Sequence, residues 1–205
     1  MSIAKRLVFS VVANTTRAII SFATGMIVAR SLGPEQYGVF SFLLASFVAM
    51  ISLFDMGSSS AFFSFISKRI RSKKFFMHYA YWLLLQFSIF VIIILVITPD
   101  AWLHIIWQGE SKELIIIAFI SVFFQQQVWG MIVKIGESQR LTIRVQILAV
   151  LIASVHFSLI ILLLWQERLS IDLIYYLIIF EYIVATIVAR LALPLEFSDE
   201  KTVFN

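Results

Sequence analysis

The 205-residue chain has no cysteine, three prolines, seven glycines and three histidines, and only 14% of its residues are charged. Without cysteine there are no disulfides, zinc–thiolate sites, iron–sulfur clusters or thiol nucleophiles. A soluble domain carries about a quarter charged residues. This chain combines its low charge with 61% hydrophobic residues and a mean hydropathy of +0.97, so it cannot cover a water-facing surface. Disorder is excluded too, because it requires low hydrophobicity and high charge. The net charge of +4 would suit nucleic acid. The basic residues, however, fall in loops between apolar runs, where positive charge sets membrane orientation. The reading is an all-α, polytopic protein of the cell inner membrane, with no nucleic-acid partner.

What is present is apolar length. A helix of about 20 apolar residues crosses a hydrocarbon core of about 30 Å. Six runs qualify: 7–29, 37–57, 79–98, 114–133, 145–165 and 173–193, followed by a short cytoplasmic tail, 194–205. Pro34, Pro99 and Pro194 each lie just outside a run, where proline terminates helices. Tyr37, Tyr79, Tyr81, Trp82, Trp165, Tyr175 and Tyr176 cluster near run ends, as an interfacial belt does. The first run is too long for a signal-peptide core and no A-x-A site follows it, so it reads as a retained helix. Twelve of the sixteen Lys and Arg residues lie on one side of the six-span arrangement, three on the other, and Arg17 within a span. That bias places both termini in the cytoplasm. The segment 58–74 either prolongs the second helix or forms a cytoplasmic amphipathic helix. The Asp55-Met-Gly-Ser-Ser-Ser run favours a break near Gly57, with the Lys68–Lys74 cluster on anionic headgroups.

Polar groups inside spans are costly and mark function or pairing. Ser10, Asn14, Arg17, Ser21 and Gly25 form one stripe on the first span, and Gly38, Ser41, Ala45, Ala49, Ser52 and Asp55 form another on the second. Small-residue packing explains the second stripe as well as a cavity does. It does not explain Arg17. By depth, Arg17, Gln86, Ser88, Gln125, Gln126, His156 and Glu181 fall near the centres of five spans, where transporters hold substrates and ions. The alternative is an Arg17–Glu181 ion pair that only fastens the bundle. Asp55 reads equally as a helix cap, and His156 as a hydrogen-bonded core residue. Enzyme sites are poorly supported, because the cytoplasmic loops lack paired carboxylates, a metal pattern and a Ser-His-Asp set. The acidic loop with Asp100, His104, Glu110 and Glu113 has no metal-binding spacing. No metal and no cofactor are expected.

The stretch Ala29-Arg-Ser-Leu-Gly-Pro-Glu-Gln-Tyr-Gly38, with Asp55-Met-Gly57 downstream, resembles the amino-terminal signature of the polysaccharide-biosynthesis proteins. These are the O-antigen and lipid-linked oligosaccharide flippases of the multidrug/oligosaccharidyl-lipid/polysaccharide exporter superfamily. The resemblance covers about residues 1–70. It implies one six-helix lobe of a two-lobed transporter, in which a polyprenyl-pyrophosphate-linked oligosaccharide crosses for surface polysaccharide or lipopolysaccharide synthesis. Family members carry two such lobes, so a truncated or half-size transporter is expected, with a homodimer or a second lobe as partner. Arg17, Asn14, Gln125 and Gln126 are then the expected substrate contacts. Glu181, His156 and Asp55 are the expected ion-coupling or structural groups. The other readings are an ion-coupled exporter of small cations and a non-transporting scaffold of a polysaccharide assembly complex.

Overall fold

A computed structural model describes residues 3–197, with side chains from residue 7 onward. Residues 198–205, including Lys201, and the side chains of Lys5 and Arg6 lie outside the described region. Among the described residues there is no strand. The helices are α1 (Ile3–Asp55), α2 (Ser58–Lys68), α3 (Lys73–Ile92), α4 (Asp100–Ile106), α5 (Lys112–Phe123), α6 (Trp129–Ser138), α7 (Thr142–Trp165) and α8 (Ile171–Ala192). Two π-helical turns, Ile93–Ile97 and Phe124–Val128, continue α3 and join α5 to α6. Five stretches are long and apolar enough to cross a membrane, and the protein is a helical membrane protein. Its outer faces carry the matching apolar side chains: Leu7, Val11, Ile19, Phe22, Val96 and Leu191 are all exposed.

The first two expected spans fall in α1, a continuous 53-residue element. At 1.5 Å per residue it would be about 80 Å long if straight. It is broken at Gly33, whose φ of 76° and ψ of 171° are non-helical and open only to glycine. Pro34 follows, with no N–H to give the preceding turn and a φ already set for the next helix. Thr24 and Val28 before the break line the same cavity as Tyr37 and Phe40 after it. Val28, Leu32, Leu43 and Phe47 likewise enter one core.

The break near Gly57 is present, with a left-handed φ of 80°, but α2 does not lie free on a surface. It continues the second limb of α1 alongside α3. Gln86 Nε2 donates to the Phe54 carbonyl at 3.0 Å, and Trp82 Nε1 donates to Ser58 Oγ at 3.1 Å. Phe62 stacks on Tyr79 with ring centroids 3.8 Å apart, and Phe65 meets Phe75. Each step forward on one rod matches a step back on the other, so 54–68 and 73–86 form an antiparallel pair closed by the tight 69–72 turn. Phe62 and Ile66 bury their side chains against Ile135 at the base of the pair.

The main core is aromatic. Phe47 and Phe119 are fully buried and meet edge to face, Trp107 stacks on Phe47, and Phe87, Phe90 and Phe123 close round Phe119. With lipid outside, burial from water contributes little here, and the fit of these rings supplies the attraction between helices. Tyr175 Oη donates to the Phe40 carbonyl at 2.8 Å and ties α8 to the second limb of α1. The 99–113 loop contains α4. Ser111 Oγ caps α5 by accepting from Leu114 N, and Lys112 pairs with Asp100 at 3.3 Å. No metal-holding group of His, Cys, Asp or Glu occurs among the described residues.

Candidate functional site

A cavity of about 720 Å3 opens between α1, the π turn with α6, α7 and α8. Five of the polar residues expected at mid-depth line it: Arg17, Gln125, Gln126, His156 and Glu181. They come from four separate stretches of chain. The π turn Phe124–Val128 carries the glutamines. A π turn inserts an extra residue and re-aims the side chains around it. Gln125 and Gln126 line the cavity, and Gln127 is buried. Gln125 Nε2 donates to Tyr182 Oη at 3.3 Å, so α8 orients that amide. The apolar part of the wall includes Val28, Phe40, Leu44 and Ile178.

The expected Arg17–Glu181 ion pair is not formed. Arg17 Nη2 donates to Asn14 Oδ1 at 3.2 Å, one helical turn back on its own helix. Arg17 is exposed and has no carboxylate partner among the described residues. The physical reason is competition. Glu181 Oε2 already lies 2.8 Å from His156 Nδ1 on α7, and the Glu181 side chain is only 5% exposed. The imidazole takes one oxygen of the buried carboxylate, and the guanidinium lines the cavity as an exposed side chain. The other carboxylate oxygen, Oε1, is buried and accepts no hydrogen bond from the protein. A buried acceptor without a partner is costly. The cavity wall thus carries two cations without an ion pair among the described residues, Arg17 and Lys134, and a Glu181 carboxylate whose second oxygen is buried and unpartnered.

Other expected residues lie elsewhere. Asn14 does not line the cavity and acts on it only through Arg17. Asp55 is a cap: its carboxylate accepts from Ser58 Oγ, Ser59 N and Ser59 Oγ at 2.8–3.1 Å. Gln86 is used in the α1–α3 contact, and Ser88 Oγ donates to the Leu84 carbonyl of its own helix. Ser41, Ala45, Ala49 and Ser52, the second polar stripe, do not line the cavity; the bulkier Tyr37, Phe40 and Leu44 do. Ala45, Ala49 and Ser52 are exposed, so the stripe neither lines the site nor packs in the core.

Lys134 and Glu137 also line the cavity and were not expected there. The fourth expected span covers 114–133, and Lys134 follows it directly. The helix instead runs to Ser138. The absence of any Pro before that point was the available signal. Thr24 and Tyr182 complete the polar wall. Comparison of the chain with protein-family models, curated proteins and solved structures gives no match.

Proposed function

We propose that the chain is one six-crossing lobe of a transporter and moves a polyprenyl-pyrophosphate-linked oligosaccharide across the inner membrane, with both termini cytoplasmic. The observation that carries this reading is Arg17. It is a permanent charge within an apolar helix, it has no acidic partner among the described residues, and it shares a 720 Å3 cavity with Gln125, Gln126, His156 and Glu181. A guanidinium presents paired donors to phosphate oxygens. The two amides and Tyr182 Oη suit sugar hydroxyls. The apolar wall suits a polyprenyl chain. The signature around Gly33 and Pro34 points the same way by resemblance. In this reading α1 crosses twice, because the Gly33 break divides an element far longer than a bilayer into two limbs that line one cavity. A second lobe or a second copy would close the open side. No bond is made or broken in this role.

The cavity volume favours a second reading. It falls within the range of small-molecule pockets, roughly 300–1,000 Å3. With the carboxylates of Glu137 and Glu181 in the lining, a small cationic solute is the competing cargo. Complementation separates the two. The chain is expressed, alone and with a second lobe, in a strain lacking lipid-linked oligosaccharide translocation, and surface polysaccharide is measured beside efflux of a fluorescent cation. Restored polysaccharide supports the proposal. Efflux without polysaccharide replaces it with the second reading. Neither activity from a correctly inserted chain leaves a scaffold role.

A further inference from the structure

A second cavity, of about 480 Å3, lies where three turns of the chain meet, at the end of the bundle that the Lys and Arg bias assigns to the cytoplasm. The turn between α2 and α3 contributes Arg69 and Arg71, the turn between α6 and α7 contributes Arg140, and the segment after α8 contributes Glu196, the single carboxylate lining it among the described residues. The walls are tied together. Gln139 Nε2 donates to the Glu196 carbonyl at 2.8 Å, and Gln139 Oε1 accepts from Glu196 N at 2.9 Å.

Arg71 is held in place by its neighbours. Its Nε donates to the Phe65 carbonyl at 3.1 Å, and its guanidinium lies 5.5 Å and 5.3 Å from the ring centres of Phe65 and Phe75. Neither Arg69 nor Arg140 forms an ion pair among the described residues. Arg140 also occupies the left-handed position, φ 62°, that closes α6, with Leu141 N donating to the Gly136 carbonyl. Glycine is favoured there. An arginine at that position exchanges backbone ease for a cation at the pocket.

We propose that this pocket binds the phosphate of an anionic membrane lipid. Among the described residues three guanidiniums stand against one carboxylate, and arginine forks match phosphate oxygens. Basic groups at the cytoplasmic edge of a membrane segment attract anionic headgroups. The apolar neighbours choose a lipid over a free phosphate. Phe65 and Ile70, each about half exposed, stand beside the arginines. An amphipathic ligand covers both, and inorganic phosphate covers neither. This site is separate from the transport cavity and does not depend on what that cavity carries.

The test uses the full chain purified in detergent. Short-chain phosphatidylglycerol, phosphatidylcholine of the same chain length and inorganic phosphate are titrated separately, with retained lipid counted by native mass spectrometry and thermal stability followed in parallel. Phosphatidylglycerol is expected to bind selectively and raise Tm. Arg69→Ala and Arg140→Gly are each expected to weaken it about tenfold, the loss of one charge-assisted contact. Arg140→Gly suits the left-handed turn, so it remains folded and carries the test if Arg69→Ala does not. Undiminished phosphatidylglycerol binding by Arg140→Gly overturns the proposal, as does equal retention of the two lipids. Stabilisation by inorganic phosphate equal to that by phosphatidylglycerol overturns the lipid assignment.

Discussion

His156 Nδ1 lies 2.8 Å from Glu181 Oε2, joining α7 to α8 through a carboxylate that is 95% buried by its 5% side-chain exposure. Removing one partner of such a pair strands the other, at a cost of about 3–5 kcal/mol. His156→Ala is therefore expected to be the most destabilising single change in the cavity. Adding Glu181→Gln removes the stranded charge and should recover at least about 1 kcal/mol in a double-mutant cycle. The matching cycle for Arg17→Ala with Glu181→Gln should be additive within about 0.5 kcal/mol, since those two side chains do not pair. Reversible unfolding in mixed detergent micelles measures both cycles. Additivity at 156 and 181 would show that the contact contributes nothing.

Arg17 presents the opposite case. Its side chain is exposed and bonded only to Asn14, so Arg17→Ala should leave membrane abundance and thermal stability nearly unchanged, within about 0.5 kcal/mol. Its expected effect is on transport. Loss of a charge-assisted contact to a phosphate corresponds to about tenfold or more. Surface polysaccharide in the complementation assay should fall by that order, and Asn14→Ala, which frees the guanidinium without removing it, should cost less. Normal polysaccharide from Arg17→Ala would remove the guanidinium from the mechanism.

Residue count along a span groups the polar residues by position, and most of that group meets in one cavity, whereas Gln86 and Ser88 do not. Arg17, Gln125, Gln126, His156 and Glu181 were grouped that way and do share a cavity. Which of them touch was not readable, because contact depends on how each helix is rotated and how near its neighbours pack. Depth alone offers Arg17 as the partner of Glu181; the packing of α7 on α8 gives it His156 instead. The π turn at Phe124–Val128 adds a rotation that no apolar periodicity announces. Breakers were legible at Gly33 and Gly57 and mark real departures from helical geometry. Yet the break at Gly57 does not end the rod. Phe62, Phe65, Phe75 and Tyr79 interlock across the turn, and an aromatic pairing of that kind has no signature at short sequence range.

That interlock separates a packed hairpin from a helix resting on headgroups. Phe62 is 3% exposed and stacked on Tyr79, whereas Phe65 on the same helix is 50% exposed. Truncating a buried phenylalanine costs about 3–5 kcal/mol. Phe62→Ala should approach that loss, and Phe65→Ala should stay well below it. Thermal unfolding of both variants in the same detergent makes the comparison. Equal, small losses would mean that α2 is not packed on α3.

The two limbs of α1 make the sharpest topological prediction. Gly33 adopts φ 76° and ψ 171°, where a β-carbon costs on the order of 1–3 kcal/mol, and Pro34 withholds the next backbone donor. If the limbs cross the membrane separately, Glu35, exposed just after the break, faces the exterior, and Lys73 at the start of α3 faces the cytoplasm. The chain lacks cysteine, so a single introduced thiol reports one position. Glu35→Cys should react with a membrane-impermeant maleimide in intact cells, and Lys73→Cys only after permeabilisation. Adding Gly33→Ala to Glu35→Cys should lower the labelled fraction, because the strained turn no longer fixes where the chain reverses. Labelling of Lys73→Cys in intact cells, or none at Glu35→Cys, would exclude two crossings by α1 in this orientation.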